Sequence, residues 1–135
     1  MVTVPETLHR LREDRDNGVL KALCREHHVD LLTLFGSSRR RPETAGDVDI
    51  AYSFEHDVDG DDLAVVNALI AAYGDNLDIM ALDRAGTVAR YAALGDGEVL
   101  VELTPEKFAL SQMAAFGQYC DEQRFRDAFV EALAR

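Results

Sequence analysis

The side chains best placed to do chemistry lie in one stretch, Leu34-Phe35-Gly36-Ser37-Ser38, then Arg39-Arg40-Arg41, then Asp47-Val48-Asp49-Ile50. A glycine closing an apolar run lets backbone come close to an anion, and the free N–H groups and positive end of a helix starting at Ser37 would face the same anion. Ser37 adds a hydroxyl donor. Alternation along a strand sends Asp47 and Asp49 to one side and Val48 and Ile50 into a core. Two like charges so close are unfavourable unless a cation lies between them, and Mg²⁺ commonly takes one or two carboxylates together with phosphate oxygens. A third carboxylate, Asp78, sits in Asn76-Leu77-Asp78-Ile79-Met80, an apolar strand that can pair beside the second and bring its acid to the same face. In a two-metal arrangement the ions align the nucleophile and neutralise leaving pyrophosphate, while such an acid accepts the proton of an attacking hydroxyl. Alone, Gly-Ser is a common turn and Asp-x-Asp a common surface pair. Their order along strand, turn, strand, helix and strand is what carries the expectation of a divalent metal and a nucleoside triphosphate.

The elements that must position these residues follow from changes in hydrophobic period. Thr3 caps a first helix, with Pro5 in its first turn and Val4, Leu8 and Leu11 at helical spacing, until the polar stretch 13–18 interrupts the pattern. A second helix carries Val19, Leu20, Leu23 and Cys24 on one face. Residues 29–35 read as a strand buried on both faces and 47–54 as a second strand. A helix is expected over 62–73 with Leu63, Val66, Leu69 and Ile70 inward, a strand over 76–82 and a short helix over 85–94. Residues 98–103 read as a last strand, and a terminal helix starts at Thr104, capped by it and followed by Pro105. Phe108, Met113, Phe116, Tyr119, Cys120, Phe125 and Phe129 give that helix an aromatic face, which core packing explains better than a partner-binding surface.

With 135 residues, 47% of them apolar, the chain has material for one core, and we expect a single domain over 1–135. No apolar run reaches the length of a membrane span and the first twenty residues lack a signal-peptide pattern, so a soluble, cytoplasmic protein is expected. Cys24 and Cys120 form no paired motif and read as packing residues. The net charge of -11 repels polyanions, which disfavours an extended nucleic-acid surface and suits a basic protein partner. His27 and His28 are adjacent, hence about 100° apart on a helix, and do not chelate one ion together. The acids Asp57, Asp59, Asp61 and Asp62 lack the glycine and terminal glutamate positions of a calcium loop and read as a solvated loop and helix cap.

The ordered motifs resemble the minimal nucleotidyltransferases of the DNA polymerase beta superfamily, in particular the antitoxins encoded with HEPN-domain toxins. The resemblance covers residues 20–130 and rests on Phe35-Gly36-Ser37, Asp47-Val48-Asp49-Ile50, Leu77-Asp78-Ile79 with Leu82-Asp83-Arg84-Ala85, and Gly97-Glu98-Val99-Leu100 before a long terminal helix. It implies an α+β, polymerase-beta palm-like fold: a small mixed sheet flanked by helices, with N-terminal helices and a long C-terminal one. It assigns Gly36 and Ser37 to the triphosphate, Asp47 and Asp49 to metal coordination, Asp78 to completion of the carboxylate triad, and Arg40 to a phosphate contact. The spacing between Gly-Ser and Asp-x-Asp is slightly shorter than the family's, and Arg39 and Arg41 replace the small residue and glycine usual around the basic position.

The implied activity is transfer of AMP from ATP, with Mg²⁺ or Mn²⁺ as cofactor, to a hydroxyl, a tyrosine, on a partner that the resemblance identifies as a HEPN-type toxin. The small size agrees with an acceptor supplied by another protein. A catalytically silent antitoxin that neutralises its toxin by direct binding is the rival reading. Transfer to RNA or to an antibiotic is a third, opposed by the acidic charge and the small size.

Overall fold

The computed structural model describes residues 2–135. Helix α1, Val4–Asn17, opens on a capping box in which Thr3 and Glu6 exchange side-chain bonds with each other's backbone N–H, and Pro5 lies in the first turn. It continues through the polar stretch expected to stop it, because those residues find partners. Asp14 accepts from the Tyr73 hydroxyl at 2.7 Å, and Arg15 donates to Glu98 at 3.0 Å. Gly18, with φ +87°, turns the chain into α2, Val19–Glu26, which buries Leu20 and Cys24 and leaves Val19 exposed.

Strands β1 (Val29–Phe35), β2 (Val48–Phe54), β3 (Leu77–Ala81) and β4 (Glu98–Glu102) form one four-stranded sheet in the order β3-β2-β1-β4. β1 pairs antiparallel with β2 and with β4, whereas β2 and β3 are parallel. The parallel pair needs a crossover, supplied by α4, Asp62–Tyr73. β1 lies between β2 and β4 and its first six residues are buried, Asp30 and Thr33 among its apolar ones.

One face of the sheet is covered by α1, α2 and α4. Leu8, Leu11, Leu20, Leu32, Leu34, Val48, Ile50, Tyr52, Leu69 and Tyr73 form the main core there. A register shift between Val29 and Leu31 lets both Val29 and Leu32 feed it. The other face, packed by a 3-10 turn at Leu82–Arg84, by α5 (Thr87–Gly95) and by α6 (Lys107–Ala134), holds the smaller core of Leu31, Ala51, Leu82, Ala93, Leu94 and Ala115.

Two helices depart from expectation. α4 has the expected bounds but turns Val65, Leu69 and Tyr73 inward, while Leu63 is 69% exposed. Asp62, which accepts from the Tyr52 hydroxyl and pairs with Arg84, and Tyr73, tied to Asp14, set its rotation. α6 starts at Lys107 instead of Thr104, because the Thr104 N–H is taken by the Asp30 carboxylate at 2.8 Å and Glu102 accepts from the Phe108 N–H at 2.8 Å. Its aromatic face is mostly not core: only Ala115 is fully buried, Phe108 packs against the smaller core, and Met113, Phe116, Phe125 and Phe129 are exposed. A helix of 28 residues is about 42 Å long, longer than the strands it crosses; Glu122 still accepts from the Thr87 hydroxyl of α5 at 2.7 Å, and the turns beyond it, 123–134, are exposed throughout. No helix among the described residues is long and apolar enough to cross a membrane.

Candidate active site

The site is built where β1 ends and β2 begins. Gly36 has φ +82° and ψ -167°, backbone that a residue with a side chain rarely adopts, and a Cβ there would overlap the Asp49 carboxylate. The glycine is thus required twice, for the turn and for the space that Asp49 fills.

Asp49 lies opposite Phe35 on the antiparallel side and level with Asp78 on the parallel side. Its neighbours Val48 and Ile50 enter the main core, so alternation turns Asp49 to the α5–α6 face; in β3 Leu77 and Ile79 pack on the main core and leave Asp78 on the same face as Asp49. Asp47 precedes the first residue of β2 and is exposed. The structure places Asp49 and Asp78 level on adjacent strands and Asp47 two residues before Asp49, outside β2, which starts one residue later than predicted. Asp49 is only partly exposed, and its pKa is pushed up to about 6 by burial first, then by the Asp78 charge and a hydrogen bond with that carboxyl, then by the Asp47 charge.

That shift bears on whether these residues fit a metal. The donor set is all carboxylate oxygen, suited to a hard divalent cation, and its mutual repulsion is the strain a cation relieves. As the side chains stand, no three His, Cys, Asp or Glu among the described residues converge as a metal site. Asp49 and Asp78 lie level with each other on neighbouring strands, close enough for each other's charge to be felt. The donor chemistry fits a hard divalent cation.

Ser37 is exposed at the first position of α3, Ser37–Arg40. With a single turn, α3 has little macrodipole, so what it offers an anion is the first-turn N–H groups and the Ser37 hydroxyl. Ser38 is fully buried behind it, and its hydroxyl has no hydrogen-bond partner. Arg40 is exposed, with Nη2 3.3 Å from Asp96.

The residue that sequence reasoning passed over is Arg39. It donates to the Asp96 carbonyl at 2.5 Å and its Nε lies 3.5 Å from Glu98. Glu98 also accepts from Arg12 at 3.0 and 3.1 Å and from Arg15 at 3.0 Å. Those bonds, Arg12's foremost, hold the Glu98 carboxyl below its ordinary pKa although burial opposes them. The network ties α1, α3 and β4 together behind the Gly-Ser turn. Its only sequence signal is a glutamate beginning a strand, and its partners lie 86 residues away at Arg12 and 83 at Arg15.

No family model matches the chain, and no curated protein matches it significantly. Solved structures do. A toxin–antitoxin structure with AMP-PNP aligns at TM-score 0.67 and 23% identity, over 89% of this chain and 98% of that one. The MntA–HepT toxin–antitoxin aligns at 0.64 and 23%, over 91% and 99%. The tri-AMPylated Shewanella oneidensis HEPN toxin in complex with MNT antitoxin aligns at 0.64 and 22%, over 92% and 99%. At such identities the similarity concerns architecture: this chain has the fold of the MntA minimal nucleotidyltransferase antitoxins, the group its motifs resemble.

Proposed function

We propose that this protein is a divalent-metal-dependent nucleotidyltransferase that moves AMP from ATP to a tyrosine hydroxyl of a HEPN-type toxin and thereby acts as its antitoxin. The observation that carries the reading is Asp49, wedged over Gly36 and level with Asp78 with Asp47 nearby, an assembly of like charges that costs stability unless it serves a cation. Asp47, Asp49 and Asp78 would hold Mg²⁺, which when bound neutralises charge on the triphosphate. Ser37 and the first N–H groups of α3 hold the triphosphate, and Gly36 lets it approach the backbone. The acceptor oxygen bonds to the α-phosphorus, the bond to the β-phosphate oxygen breaks, and pyrophosphate leaves. Asp78, exposed on the edge strand, takes the hydroxyl proton. Arg40, released from Asp96, is within the same turn to contact phosphate. Neighbouring folds crystallised with AMP-PNP and with a tri-AMPylated toxin support this reading.

The experiment is incubation of the protein with a HEPN toxin, labelled ATP and Mg²⁺. Label should appear on the toxin and be lost with Asp47→Asn. Label that survives this substitution would sink the assignment. The exposed aromatic stretch of α6 favours a second reading, neutralisation by contact alone. Rescue of growth by Asp47→Asn at equal expression is the outcome that reading requires.

A further inference from the structure

On the same sheet face, four residues along β2 from Asp49 and so about 13 Å away, the chain forms a second concavity of about 210 Å³. Ser53 contributes its wall from β2, Arg90 from α5, Lys107 and Ser111 from α6, and Asp83 from the 3-10 turn; Leu82 and Leu94 are its apolar lining. Ser53 is 4% exposed, and its hydroxyl has no hydrogen-bond partner. A buried hydroxyl left so is costly unless a ligand or water satisfies it.

Several donors facing this space are not fully used. Lys107 Nζ forms an ion pair with buried Asp30 at 3.8 Å, too long for a hydrogen bond, so its N–H donors remain free for an anion while its charge is partly balanced. Arg90 donates to the Leu82 and Ala85 carbonyls and to Gln118, which leaves two of its five N–H groups unused. One Asp83 oxygen is engaged by the Phe54 N–H. We propose that the cavity is a second binding site for a small tetrahedral oxyanion, inorganic phosphate or the terminal phosphate of a small ester, held by Ser53, Lys107, Ser111 and the free edge of Arg90. Donors reach the space from one strand and two helices, which suits an anion with oxygens on several sides better than a planar carboxylate. The site is separate from the triphosphate turn and does not depend on the transferase reading.

The test is titration of the full chain with inorganic phosphate, followed through backbone amide resonances. Saturable shifts are expected at Ser53, Asp83, Lys107 and Ser111. Lys107→Met and Ser53→Ala should each weaken binding by about tenfold. Asp83→Asn should tighten it, because a like charge is removed from beside the anion. Ser37→Ala should leave this affinity unchanged, which separates it from phosphate held at the Gly-Ser turn. Absence of saturable shifts, shifts confined to residues 36–40, or wild-type affinity in Ser53→Ala would overturn the proposal. Ser53→Ala removes a single oxygen, so it answers the question even where Lys107→Met fails to fold.

Discussion

Two clusters of ionised groups lie within a few residues of each other on this sheet, and they are built on opposite principles. Around Glu98, Arg12, Arg15 and Arg39 surround one carboxylate and hold its pKa down. Around Asp49, burial first and then two neighbouring carboxylates push its pKa up to about 6. The first cluster lowers the free energy of the fold by joining three elements distant in sequence. The second raises it, and a fold keeps such a liability where a bound cation and anion make use of it. The difference predicts that matched neutral substitutions at the two centres act in opposite directions on stability and on chemistry.

The largest effect should come from Asp49→Asn. Transfer of AMP should fall by roughly a thousandfold or more, since a metal-holding charge worth several kcal/mol to the transition state is lost. The same variant should melt higher than wild type at pH 8 in chelator, because the repulsion with Asp78 and Asp47 is gone. Labelled transfer and paired thermal scans read both halves. An Asn variant that melts lower would mean that Asp49 is held by favourable contacts and would break the comparison.

Glu98→Gln should do the reverse. Three guanidinium groups lose their shared counter-charge, which costs about 1–3 kcal/mol in a partly exposed network, visible in urea unfolding. Transfer should change little, provided Arg39 still anchors α3 through the Asp96 carbonyl. A large drop in transfer with unchanged stability would make the network part of the catalytic apparatus.

The unequal legibility of the two clusters has a physical basis. The placement of Gly36, Asp49 and Asp78 is legible because each is announced locally, by alternation within a strand or by a glycine where a strand must turn, whereas Asp47 falls just outside the strand it is expected to open. The parallel β2–β3 pairing that brings Asp78 level with Asp49 follows from the helix between them. Glu98 and Arg39 carry no local signature, since an ion pair closed across the fold leaves no period in the sequence. The inward face of α4 was misread for another reason. Asp-Leu-Ala-Val-Val-Asn-Ala-Leu-Ile-Ala-Ala-Tyr is apolar nearly all round, so its rotation is set by Asp62 and Tyr73 through polar partners elsewhere. In α6 an aromatic periodicity is the same whether or not a sheet lies beneath it, and the periodicity does not tell where the domain ends.

The smallest effect, and the one that tests the contrast within a single chain, is on pH dependence. Asp49 has its folded pKa raised from 3.8 to about 6, so its stabilising contribution is complete below its unfolded value and is lost as pH rises through about 6. Glu98 has its folded pKa lowered from 4.5, so its contribution is present above that value and is lost as pH falls through the folded one. In chelator, wild type should therefore lose stability relative to Asp49→Asn between about pH 4 and pH 6 and run level with a constant deficit above that. Its advantage over Glu98→Gln should stay constant above about pH 4.5 and shrink only below it. Thermal scans of the three proteins from pH 4 to pH 8 give the two difference curves. Saturating Mg²⁺ should flatten the first curve and leave the second unchanged, because a cation at the carboxylates replaces the proton on Asp49 and has no counterpart among the arginines. A first curve indifferent to Mg²⁺ would mean that the crowded carboxylates hold no ion, and the contrast between the two clusters would then concern stability alone.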